Sequence, residues 1–119
     1  MSEKEKLESL VKNHFDIHLK EKYIINKEII EGENITEISS VKIISLNVNM
    51  EELLAEGSTS LIASILFKVL CKRRAGRQIK FFQFSCNIEV EYIQTEKKYA
   101  ITDTGIYNPI ERKDAANYF

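Results

Sequence analysis

Apolar residues near the start of the chain recur at helical intervals. Leu7, Leu10 and Val11 lead into His14 and His18, with Glu and Lys filling the remaining positions. This spacing predicts an amphipathic helix from Ser2 to about Lys22. From Tyr23 the composition turns to isoleucine, with Tyr23-Ile24-Ile25 and Ile29-Ile30 before Gly32-Glu33-Asn34, and Ile35, Ile38, Val41, Ile43, Ile44, Leu46 and Val48 after it. β-branched runs on either side of a Gly/Asn break predict two strands joined as a hairpin, the second with alternating apolar and polar positions at its end.

Asn49 before Met50-Glu51-Glu52 offers a side-chain oxygen to the free amides of a first helical turn, so a helix is expected to begin there. Gly57-Ser58-Thr59-Ser60 marks a kink or a fresh start, and beyond it Leu61, Ile62, Ile65, Leu66, Phe67, Val69 and Leu70 cover most of a helical circumference. These residues predict a buried central helix, stopped where Lys72-Arg73-Arg74 would meet its free carbonyls and Gly76 its last turn. The clearest pattern follows: Phe82, Phe84, Cys86, Ile88, Val90 and Tyr92 alternate with Gln83, Ser85, Asn87, Glu89 and Glu91. That is a half-buried antiparallel strand. A polar turn at Gln94–Lys97, a return strand over Tyr99–Tyr107 and a short closing helix capped by Asn108-Pro109 complete the chain.

The expected order is α-β-β-α-β-β-α: one α+β domain over residues 1–119, with a largely antiparallel four-stranded sheet and the central helix on one face. In element order, though in no motif, this is similar to small secretion-chaperone-like folds, and that resemblance implies a dimeric, effector-binding protein.

Composition narrows the functional classes. With 17 Lys plus Arg against 18 Asp plus Glu, the net charge of −1 gives no whole-molecule attraction to nucleic acid or anionic lipid. The apolar runs are too short to cross a bilayer and the Ser-Glu-Lys-Glu-Lys opening is unlike a cleavable signal, so a cytoplasmic location is expected. Cys71 and Cys86 form no spaced metal or redox motif and are expected as two free, buried thiols.

Candidate chemistry is sparse. His14 and His18, four apart on one helix face, are weak candidates to share a metal, but both also continue the Leu7–Val11 stripe and fit an ordinary helix face. Cys71, among Lys68, Lys72, Arg73 and Arg74, would be activated only if exposed. Glu89 and Glu91 share a strand face, which fits acid/base work or plain solvation, and Asp103-Thr104-Gly105 is similar to the aspartic-protease tripeptide but lacks a second catalytic lobe. No phosphate loop, nucleophile elbow or zinc-helix motif is present, and no cofactor is expected.

One local asymmetry stands out. Lys68, Lys72, Arg73, Arg74, Arg77 and Lys80 give six cations without an acid and run into Phe81, which could pair phosphates and stack a base. Part of that run would equally serve a helix end. The first 37 residues hold nine acids and six bases, nine of the eleven aromatics lie beyond residue 66, and long strands leave sheet edges open. From these we expect a non-enzymatic binding or regulatory protein acting on a protein partner, as a homodimer. A nucleic-acid binder using Lys68–Phe81 is the alternative, and an enzyme or small-ligand binder using His14, His18 or Asp103 the third.

Overall fold

The computed structural model describes residues 2–119, the side chain of Ala116 set aside. It is an α+β fold with an antiparallel sheet. Helix α1 spans Glu3–Lys20, with the Ser2 hydroxyl accepting from the Glu5 amide at 3.1 Å as its N-cap. The stripe Leu7, Val11, Phe15 and Leu19 is fully buried and continues through Tyr23, which lies in a π-helical turn over Glu21–Ile25. That turn replaces the first predicted strand. Tyr23 falls four residues after Leu19 and so extends the helix's apolar face, while Ile25 and Ile29 are left exposed. The Gly32 break is a tight turn closed by reciprocal Ile30 and Glu33 backbone bonds, with Glu31 and Gly32 both at positive φ. It joins no strand pair, so the second predicted strand becomes the first.

Strand β1 covers Ile35–Asn47. Helix α2, Met50–Glu56, starts as expected, with Asn49 Oδ1 accepting from the Glu52 amide at 3.0 Å, and ends at Gly57, whose φ of +79° serves the C-cap. Strand β2 then runs from Ser58 to Arg73, where a central helix was predicted. The odd positions Thr59, Leu61, Ala63, Ile65, Phe67, Val69 and Cys71 are buried on the α1 side, while Ser58, Ser60, Ser64, Lys68 and Lys72 occupy the other face. A helix would have turned several of those apolar groups into water; a strand buries all of them.

The Lys72–Gly76 signal belongs to a hairpin turn. Arg73 pairs with Gly76, at φ +109°, and strand β3 returns over Gly76–Ile93 in sixteen consecutive pairs with β2. Strand β4, Lys98–Thr104, covers the upper part of β3. In place of the closing helix, Ile110–Glu111 forms a two-residue strand β5 on β3 at Phe82 and Gln83, below the point where β4 stops. That free edge captures the segment, and the Arg112 amide adds a bond to the Phe81 carbonyl at 2.8 Å. A 3₁₀ turn over Ala115–Tyr118 follows.

The main sheet order is β1-β2-β3-β4. One face packs on α1 and holds the core: Phe15, Phe67, Phe82, Phe84 and Ile88, joined by Val41 and Leu46 from β1. On the opposite face the C-terminal segment crosses from Gln83, bonded to Arg112, to Lys42, whose Nζ donates to the Tyr118 carbonyl at 2.6 Å. It passes over Leu66, which is 0% exposed, whereas Ile62 and Ile79 on the same face are 47% and 50% exposed. Among the described residues no helix is long and apolar enough to cross a membrane.

Candidate functional site

The six cations lie toward the tip of the β2–β3 hairpin, at a strand end and turn and not at a helix terminus. Arg73 Nη1 and Nη2 donate to the two carboxylate oxygens of Glu33 at 2.5 and 3.2 Å. Lys80 Nζ stands 3.1 Å from Glu33 and 3.2 Å from Glu111. Arg73, then Lys80, hold the Glu33 carboxyl below the usual carboxylate range. Two of the six charges are therefore matched by acids brought in from other elements. Lys68, Lys72, Arg74 and Arg77 form no ion pair among the described residues. Lys68 sits across from Phe81 on the helix-free face, and Phe81 is stacked on Phe119, with ring centroids 5.4 Å apart and planes at 27°. The ring available to a base is occupied by the chain's own end.

The two histidines stack at 5.5 Å between centroids and 13° between planes. Each has a hydrogen-bond partner that linear spacing does not reveal: His14 Nε2 with the Thr104 hydroxyl at 2.9 Å, and the Tyr107 hydroxyl with His18 Nδ1 at 2.7 Å. Tyr107 also stacks on Phe84 at 4.2 Å, with Lys22 Nζ 4.7 Å from its ring centroid. Burial, then the neighbouring His18, lowers the His14 pKa, and burial raises that of Tyr107. These groups fasten α1 to the end of β4 and to the chain just after it. Among the described residues no group of three or more His, Cys, Asp or Glu side chains comes together as a metal site would require.

Cys71 and Cys86 are free and buried, and burial is the first cause of the rise in both thiol pKa values. Cys86 Sγ donates to the Gly105 carbonyl at 3.3 Å. Asp103 lies exposed on β4, opposite Glu89. Its neighbours in the tripeptide have structural duties: Thr104 meets His14, and the Gly105 amide bonds the Asn87 carbonyl at 2.7 Å. A Cβ at Gly105 would lie 2.9 Å from that same oxygen. Glu91 is exposed on β3, on the same face as Glu89.

A feature absent from the sequence reading is the groove between α1 and the free edge of β1. It encloses about 360 Å³ and is lined by Glu5, Glu8, Ser9, Lys12 and residues Val41–Ile43. The four helix residues share one face by their spacing of three and four, but only the packing of α1 on β1 brings them to a strand edge. Other surface hollows are of similar size, including one of about 390 Å³ at Lys22, Tyr23, Tyr107 and Pro109, and one of about 400 Å³ at Asn47, Ser60, Ile62 and Glu89.

No protein-family model, no curated protein and no solved structure matches the chain. The functional reading therefore rests on the geometry above.

Proposed function

We propose that this chain is a non-enzymatic binding protein whose partner is another protein, engaged at the β1 edge. The observation that carries this is the groove between α1 and β1: a strand edge left without a neighbour, beside a helix face, with space to accept a main chain. The histidine and Cys86 candidates support it indirectly, because the polar atoms of His14, His18 and Cys86 are already engaged in holding the fold. The test uses a photoreactive benzophenone side chain at Ser9, inside the groove, and at Ile17, exposed on the same helix away from it. In an extract of the cells that make the protein, a defined protein adduct at position 9 and none at 17 supports the reading. Equal labelling at both positions, or none, refutes it. Sedimentation of the purified chain reads self-association in the same preparation, since open sheet edges also raise the expectation of a homodimer.

A nucleic-acid role is the second reading, favoured by Lys72, Arg74 and Arg77 at the hairpin tip, which form no ion pair among the described residues. Each phosphate contact would steepen the salt dependence of binding by about one unit of log-log slope. Salt-sensitive retention on heparin or single-stranded DNA, lost in Arg74→Glu with Arg77→Glu, would establish it. Indifference to those substitutions would remove it.

A further inference from the structure

We propose that Ser40–Ile43 of β1 takes up a short extended segment of the partner as an added strand, and that this segment presents Lys or Arg side chains toward α1. The proposal rests on the protein-binding reading above and names the chemistry of the segment bound. β1 is hydrogen-bonded to β2 on one side and is the terminal strand of the sheet. Its pairing with β2 is interrupted between Ile35 and Glu37, between Ile38 and Ser40, and between Ile43 and Ser45. Bulges of this kind twist an edge away from neighbours. The longest stretch between those interruptions at which β1 keeps register is Ser40 to Ile43, and this is where the groove lies. An added strand would sit about 4.8 Å from β1, within the groove, and every second side chain would turn toward the helix.

Charge decides what those side chains are. Glu5 and Glu8 line the helix wall, Glu8 half-buried, and neither carboxylate is ion-paired among the described residues. Lys12 is drawn to Asp16 at 2.9 Å, and Lys42 reaches over the opposite sheet face to the Tyr118 carbonyl. The wall is therefore acidic, and a basic side chain arriving there meets two unmatched carboxylates, Glu5 exposed and Glu8 half-buried, the second where charge pairing is stronger than in open water. A second copy of this chain fits less well. A twofold contact uses the same patch from both copies, so each would bring its own Glu5 and Glu8 to the groove, like charge against like.

Two capped octapeptides, one alternating valine with lysine and one alternating valine with glutamate, test the proposal on the full chain by fluorescence anisotropy and amide NMR. The valine-lysine peptide is expected to bind, with shifts confined to residues 40–43 and 5–12. Glu5→Lys with Glu8→Lys should weaken it at least tenfold and admit the valine-glutamate peptide, whereas Glu51→Lys with Glu56→Lys, on the exposed surface of α2, should change nothing. Circular dichroism confirms that the variants fold. Equal binding of both peptides, or shifts elsewhere, overturns the charge selection, and the Ser9 adducts then decide separately whether the protein-binding reading survives. A dimer that protects amides 40–43 and excludes both peptides gives the edge to a second copy and also overturns it.

Discussion

Leu66 distinguishes this fold from one with an open outer sheet face. Its side chain points away from α1, yet it is fully buried, because the segment from Arg112 to Tyr118 crosses above it. Ala115, also 0% exposed, lies in that segment. Truncating a fully buried leucine to alanine removes its transfer free energy and leaves a cavity, at a cost of about 3 kcal/mol within a usual range of about 2–5. For 119 residues the unfolding entropy is about 0.25 kcal/mol/K, so Leu66→Ala should lower Tm by about 12 °C. Ile62, four residues earlier on the same face and half exposed, should lose only about 1 kcal/mol on truncation to alanine. Chemical denaturation of both variants, alone and combined with Phe119→Ala, provides the assay. Loosening the end of the chain should make Leu66→Ala less costly, with a coupling of at least about 0.5 kcal/mol. Equal costs at positions 62 and 66, with no coupling to position 119, would refute the covering.

Three further outcomes are expected. Because the folded His14 pKa lies below its ordinary 6.5, the folded state binds fewer protons there than the unfolded chain; stability held above that pH should fall as pH drops through the lowered value, and His14→Asn should flatten this part of a Tm-against-pH curve. Gly105→Ala should destabilise by about 1–3 kcal/mol in urea titration, since its Cβ would press on the Asn87 carbonyl, a backbone atom that cannot swing aside. Cys71 and Cys86 should resist a thiol-reactive dye in the native state and react together on denaturation; rapid native labelling of either would contradict their burial.

How plainly a segment encodes its structure depends on how many periods its apolar positions satisfy. Residues 82–92 fit only a two-residue repeat and form a strand as expected. Residues 58–73 satisfy two repeats at once. Ile62, Leu66 and Leu70 are spaced by four, a distance common to one helix face and one strand face, and they fill the side that Ser58, Ser60, Ser64 and Lys68 mark as outer. The serines and lysines at even positions carried the deciding signal. Tyr23–Ile30 failed for a different reason: β-branched composition favoured a strand, but the stripe begun at Leu7 still had Tyr23 to bury. The site was harder to read, because its parts meet only in three dimensions. Glu33 and Glu111 answer Arg73 and Lys80 from 40 and 31 positions away, which no count of charges along a window can detect. The groove at Glu8, Ser9 and Val41 exists only because α1 lies against an edge strand.

The turn at Arg73–Gly76 sets the alignment of every pair down to Ser58 and Glu91. A slip of one position there would turn one of the two longest strands over against the other, so that with β2 held in place Phe82, Phe84 and Ile88 would face solvent and Gln83 and Glu89 would be drawn inward. Fidelity of the interior is thus delegated to four residues at the far end of the molecule. An insertion at that tip should prove far more damaging than its exposed position implies.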